Sequence, residues 1–514
     1  MRTVTTALAA IALALVAAAC GTGRDTPPDV ITLAVTSSPN NLDPRVGTDE
    51  VSQKTQQLIF STLLALNERL EVVGGLATGW TTPTPTTYLV TLREGVRFHD
   101  GRELTADDVV YTFTSLLAPD FISPRKGAYR MLDRVRAVDP YTVEFTLKEP
   151  FGSFPINLVL PIVPKDSGAQ LRARPIGTGP YRFVSFAVDD RVVLAPFAGY
   201  HGGAPANGGV VLKVVPDDTM RGLELRKGTV DLVVNDLAPD TIHQLRTDPE
   251  LQVVEAPGTD YQYVGINLRD PILRDVRVRQ ALAHAVDRDA IVTYLRRGLA
   301  QPAVGILPPV SWAFAADVPQ FTYDPRRAMQ LLDEAGHRDP DGPGPQPRLQ
   351  LSLKMSSVEF NRLQGSVLQQ NFAAIGVALD VRTYEFATLY ADVLKGNFQL
   401  FTLQWVGVSD PDMLRRVFHS RQMPPTGFNR GFFSHPGVDS LIDRATVLTD
   451  DGERRALYAE AQRLISHEVP YISLWYKRNV AIARHDLRGI RLSPSADFLF
   501  LRGVTREPLR TTAG

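Results

Sequence analysis

The 514-residue chain contains one cysteine, Cys20, so no disulfide can form within a single chain and the fold must rest on its hydrophobic core. That cysteine closes the most apolar stretch of the sequence. Arg2 supplies a short positive start, and Ala7 to Ala19 is an unbroken run of Ala, Ile, Leu and Val. Three alanines then lead into Cys20, small enough for a narrow peptidase cleft. A charged start, a short apolar run and small residues before the cut predict a secretory signal over residues 1–19, too short to span a bilayer comfortably. Residues 20–29 are polar and Pro-containing and read as a tether. No comparable apolar run follows. With 44% hydrophobic and 22% charged residues, the remainder reads as a water-borne globule of two or three domains. A formal net charge of −1 gives no reason to expect nucleic acid or another polyanionic partner.

Helical and strand patterns alternate. Val30 to Val35 predicts a buried strand, and Val143, Phe145 and Leu147 alternate with polar residues in the period of a half-buried one. Thr105 is placed to cap a helix with Asp107 and Asp108 in its first turn and an apolar stripe from Val109 to Leu117. Asp275 caps another, whose buried stripe is Val276, Val278, Leu282 and Ala285. Asp324-Pro325 and Gly336 bracket a third. Gly376 and Gly396 read as helix stops before strands near Leu379 to Thr383 and Phe398 to Trp405. This alternation predicts α/β lobes. Catalytic patterns are absent: no Gly-x-Ser-x-Gly, no His-Glu-x-x-His and no phosphate-binding glycine loop, and the nine histidines lack metal-ligand spacing. We therefore expect no enzyme, no metal and no cofactor.

Four blocks carry a family resemblance. They are Leu92-Arg-Glu-Gly-Val-Arg-Phe-His-Asp-Gly101 with Leu104 to Val110; Gly177-Thr-Gly-Pro-Tyr181; Asp275 to Leu282 with Ala285 to Arg288; and Tyr323 to Leu332 up to Gly336. Their sequence and order resemble the extracytoplasmic solute-binding proteins of peptide and nickel ABC importers, solute-binding family 5. The end of the signal resembles the lipobox of bacterial lipoproteins, with Ala17 where Leu is usual, and this implies lipidation of Cys20. The resemblance implies a periplasmic-binding-protein-like α/β fold with two lobes, an interlobe cleft and a subdomain inserted in the first lobe. The implied division is lobe I at residues 30–58, the insertion at 59–179, lobe I again at 180–266, lobe II at 267–479 and a return to lobe I at 480–514. The chain is expected to cross near Gly265 to Asn267 and return near Lys477 to Ala481. The implied protein is a monomer, exported and lipid-anchored at the cell membrane, facing the periplasm or the exterior. It would hand a small solute to an ABC permease and its ATPase subunits.

The same resemblance places ligand contacts at Gly47, Thr48 and Asp49, at Tyr261, Tyr263 and Asn267, at Trp405, Val406, Gly407 and Val408, at Asp410, and at Trp475 and Tyr476. Asp410 and Asp412 also read as caps for a helix starting near Met413. Two positions depart from the dipeptide binders. Val408 stands where an aspartate neutralises the ligand's amine, and Ser356-Ser357 where an arginine holds its carboxylate. Burying a charge without its partner is costly, so simple dipeptides are expected to bind poorly, and Val408→Asp to improve binding of amine-bearing ligands. Longer peptides, oligosaccharides, opine-like compounds and metal chelates stay open as ligands, and an exported folding helper stays open as an alternative role.

Overall fold

The computed structural model describes residues 26–342 and 344–507; the signal segment and Cys20 lie outside them. Two mixed sheets organise the chain. The first has seven strands in the order Leu251–Ala256, Asn479–Arg484, Leu232–Val234, Val30–Val35, Gly209–Val214, Arg191–Pro196 and Tyr181–Ala187. Val30–Val35 lies parallel to Gly209–Val214 and to Leu232–Val234 and is buried along nearly its whole length, as its continuous apolar run requires. The second has six strands in the order Ala300–Pro302, Tyr471–Lys477, Tyr261–Ile266, Leu400–Trp405, Leu349–Ser356 and Val377–Tyr384. Helices cover both.

Only two short links join the sheets. The chain leaves the first after Ala256 and enters the second at Tyr261; it leaves the second after Lys477 and re-enters the first at Asn479. The first crossing therefore lies at residues 257–260 rather than at Gly265 to Asn267. Tyr261–Ile266 is already a second-lobe strand, because it pairs on both sides with Leu400–Trp405 and Tyr471–Lys477.

A four-stranded antiparallel sheet, ordered Ala77–Thr84, Thr87–Leu92, Thr142–Leu147 and Leu132–Asp139, forms a separate layer under the helix Ala106–Leu117 with its own apolar core. That helix opens with a reciprocal capping box between Thr105 and Asp108. Two of the sequence blocks meet where this insertion joins the first lobe. The His99 N–H donates to the Gly177 carbonyl at 2.9 Å, and the Gly177 N–H donates to His99 Nδ1 at 3.3 Å. His99 Nε2 in turn reaches the Gly179 carbonyl at 3.0 Å. Burial holds this imidazole down at about 4, so it is neutral at pH 7. A Cβ on Gly177 would sit 2.1 Å from the Ile59 carbonyl oxygen, so only glycine lets the two chains of the neck pass this closely.

The second-lobe helix Val276–Ala285 starts at its Asp275 cap. Val278, Leu282 and Ala285 are buried, but Val276 is only half-buried. Arg279 is buried too, paired with Glu468 at 3.1 Å and donating to the carbonyls of Leu273, Arg274 and Glu468. The helices Pro325–Glu334 and Met413–Phe418 and the strands Val377–Tyr384 and Leu400–Trp405 occupy the predicted segments.

Candidate functional site

The ends of both sheets nearest the two links face one another, and this gap is the candidate site. In an α/β sheet the loops beyond the carboxyl ends of parallel strands are the natural place for a ligand. On the first lobe these are the ends of Val30–Val35 and Leu232–Val234, flanked by the start of the helix Glu50–Ile59. Asp49 caps that helix, accepting from the Ser52 N–H at 2.9 Å. Gly47 is buried beneath it, with its carbonyl taken by Arg125 at 3.2 Å, while Thr48 is exposed. A small hollow here is lined by Val35, Thr36, Glu50, Lys54, Asn235 and Asp236. Burial lowers the Lys54 pKa, and its ammonium donates to the Ser495 carbonyl at 3.2 Å and to that of Ala496. Burial, aided by Glu50, pushes the Asp236 carboxyl up to about 6.

The second-lobe wall is aromatic. Tyr261, Tyr263 and Trp405 project from one face of neighbouring strands, because alternate residues share a face. Tyr263 stacks on Tyr471 with centroids 4.0 Å apart and lies nearly parallel to Trp405 at 6.4 Å. Tyr261 shares a 2.7 Å hydrogen bond with Ser473. Trp405 is half-buried at the cleft end of its strand, and Val406 beyond it is 73% exposed. Gly407 turns the chain with φ +66° and donates to Asp260 Oδ1 at 3.0 Å, tying this loop to the first link.

The lobes also meet through the insertion. The Gly152 N–H donates to the Thr446 carbonyl at 2.7 Å, and Arg454 donates to the Ser153 hydroxyl at 2.5 Å. Asp410 lies beside this contact. Its Oδ1 accepts from the Asp412 N–H at 2.7 Å, which turns the chain into the helix Met413–Phe418. Burial first, and the Asp412 carboxylate second, raise the Asp410 pKa to about 6 despite the opposing Arg454. Among the described residues no cluster of three or more His, Cys, Asp or Glu side chains is placed to hold a metal ion.

Comparison with known proteins gives this geometry its family. The model of bacterial extracellular solute-binding proteins, family 5 (middle), matches residues 71–424. The glutathione-binding protein GsiB of Salmonella typhimurium is 31% identical over 490 residues, covering 91% of this chain and 93% of the relative. The chain belongs to the family 5 bacterial extracellular solute-binding proteins. Among solved structures, the substrate-binding protein CtaP of Listeria monocytogenes superposes with a TM-score of 0.82 at 25% identity, over 93% of this chain and 99% of that one. The oligopeptide-binding protein AppA of Bacillus subtilis, in complex with a nonapeptide, gives 0.73 at 27%, with the same coverages. The two-lobed α/β architecture and a substrate-binding role follow from this membership.

Within that family 5 frame, the expected contacts separate into groups. Thr48, Trp405, Val406, Gly407 and Asp410 are exposed or half-buried around the gap, and Tyr261 and Tyr263 lie fully buried behind Trp405. Two others lie elsewhere, and Tyr476 lies behind the wall with Tyr261. Asn267 stands at the opposite end of its strand from the links, donating to the Phe398 carbonyl at 2.9 Å. Trp475 packs on the other face of the sheet, edge-on to Phe360. Tyr476 is buried opposite Tyr261, its hydroxyl shared between the carbonyls of Gly305 and Leu307 at 2.7 and 2.9 Å. Val408 is 1% exposed and packs in the apolar core, so an aspartate there would bury an unpaired carboxylate instead of meeting a ligand. Sequence reasoning passed over Arg430 and Phe428, which pack on Trp405, and Tyr390, which packs on Arg430 from a neighbouring helix. No local pattern marks them; a lone arginine between Asn429 and Gly431 reads as surface.

Proposed function

We propose that this family 5 protein is a lipid-anchored receptor that captures a peptide-like solute between its lobes and passes it to an ABC permease. The observation that carries the reading is the end-to-end match to a glutathione-binding protein at 31% identity, joined to an aromatic wall at the mouth of the cleft. Glutathione and peptides of similar length are the proposed ligands. Trp405 would supply a flat apolar face, and the exposed backbone of Val406 and Gly407 would supply hydrogen-bonding groups. Thr48 would meet the ligand from the first lobe. Closure would pivot on the links at residues 257–260 and at Arg478. Cys20 carries the proposed lipid, the protein acts as a monomer, and no step of chemistry is assigned to it. Among the described residues no helix is long and apolar enough to cross a membrane.

Calorimetry with glutathione, a tetrapeptide and Gly-Leu tests the reading. Saturable binding of glutathione or the tetrapeptide, with little heat from Gly-Leu, is the expected pattern. Binding should also raise the melting temperature, by mass action worth roughly 2.7 kcal/mol at a hundred times the Kd, and compact the protein in solution scattering. Heat with none of these, or unchanged scattering under saturating ligand, would remove the proposal.

A further inference from the structure

We infer that Arg430 forms the subsite of this cleft that accepts a ligand carboxylate. The inference rests on the ligand-binding reading above and names one chemical group of the ligand. Arg430 is 5% exposed, yet no carboxylate lies within ion-pair distance of it among the described residues. Its terminal nitrogens reach only two phenols, the Tyr390 hydroxyl at 3.1 Å and the Tyr263 hydroxyl at 3.5 Å, and its Nε has no partner. A guanidinium offers five donors in a rigid planar fork, and leaving that charge buried without an anion is among the costliest arrangements in a protein. Among the other buried arginines of the second lobe, Arg279 pairs with Glu468 and Arg454 with Asp451. Among the described residues Arg296 also lacks a carboxylate, but it stacks on Phe360 and Trp475, on the face of the sheet away from the Trp405 wall, and donates to the Leu299 carbonyl at 3.5 Å.

The surroundings are consistent with a receptor for a planar anion. The guanidinium lies 4.6 Å from the Trp405 ring centre, 5.0 Å from Tyr390 and 5.5 Å from Phe428. These rings hold its plane by cation–π contact while neutralising none of its charge. Two further polar groups of the same aromatic layer, the Trp405 indole N–H and the Tyr471 hydroxyl, are buried beside it and interact with each other. Of these groups only the Arg430 guanidinium carries a charge, and it lies behind the rim formed by Val406 and Phe428. Both rim residues are exposed, so they can move aside without opening the core. A carboxylate is the planar acceptor that matches a guanidinium edge, and it supplies the charge that the site lacks.

The test compares wild type and Arg430→Gln by thermal melting with sodium acetate, replacing chloride at constant ionic strength, and by calorimetry with glutathione and its diamide. Acetate should stabilise the wild type saturably, acetamide should not, and Arg430→Gln should lose the acetate response. Glutathione should bind the variant roughly 10- to 100-fold more weakly, the range of one or two charge-assisted hydrogen bonds, while the diamide binds both proteins alike. If the variant fails to fold, the acetate-against-acetamide comparison on the wild type still decides. Equal responses to acetate and acetamide, or an undiminished acetate response in the variant, would overturn the inference. A specific acetate response without glutathione binding would keep Arg430 as the anion subsite and reject the peptide-like ligand.

Discussion

Replacing Asp410 by asparagine should make this protein more stable at neutral pH, although it removes a charge close to Arg454. The carboxyl is raised from an ordinary 3.8 to about 6 by burial and by Asp412. A carboxyl whose folded pKa is raised binds more protons folded than unfolded between those two values, so its contribution falls as pH climbs from about 4 to 6 and stays unfavourable above that. At 1.36 kcal/mol per unit, the full cost is about 3 kcal/mol at pH 7.5 and under about 1 kcal/mol at pH 4. Asparagine keeps the Oδ1 that accepts from the Asp412 N–H at 2.7 Å, and Arg454 keeps Asp451 at 2.8 Å. Only the hydrogen bond that the carboxylate accepts from Ser153 is lost with the charge, about 1 kcal/mol against the larger relief of desolvation. For a cooperative unit of roughly 200 residues this corresponds to a rise of about 6 °C, and for the whole chain unfolding together about 3 °C. Scanning calorimetry of both proteins at pH 7.5 and pH 4 reads the difference directly. A variant that melts at or below wild type at pH 7.5, or a gap that persists at pH 4, would refute the reasoning and assign Asp410 a favourable ionised role, such as holding a ligand amine.

Other outcomes follow from the same structure. His99, held down at about 4 from 6.5, contributes stability that is present above pH 6.5 and lost as pH falls towards 4, about 3 kcal/mol in all; His99→Gln should flatten that part of the melting-temperature profile, and an unchanged profile would reject it. Gly177→Ala should destabilise the neck between insertion and first lobe by about 1–3 kcal/mol in urea unfolding, since its Cβ would lie 2.1 Å from the Ile59 oxygen. Val408→Asp should lower the melting temperature, with no gain in affinity for amine-bearing peptides, because the side chain enters the core. Cys20→Ser should move the protein from the membrane to the soluble fraction of cells with its melting temperature unchanged; membrane retention would exclude the lipid anchor.

Much of the fold was written locally in the chain. Asp49, Thr105, Asp275 and Asp324 mark helix starts because a short polar side chain before an apolar stripe can satisfy the first free N–H groups. The blocks around His99 and Gly177 were legible as motifs, but only their meeting shows what they do together: one neutral imidazole bridges two backbones that just fit past each other. The cleft was harder to read, because a contact depends on which end of a strand and which face of a sheet a residue occupies. Tyr261 and Asn267 bracket one strand and its exit, yet only the first is near the links. Trp475 and Tyr476 are adjacent in one strand and therefore point to opposite faces of the sheet, so at most one of them can belong to the aromatic wall. Arg430 is remote in sequence from Trp405 and Tyr390, and packing alone places its charge between their rings. Local hydrogen bonding and hydrophobic period thus determined the elements, and the four sequence blocks carried the family resemblance, whereas the tertiary structure decided which side chains reach the cleft, since strand order, link position and loop packing join residues that share no local signal.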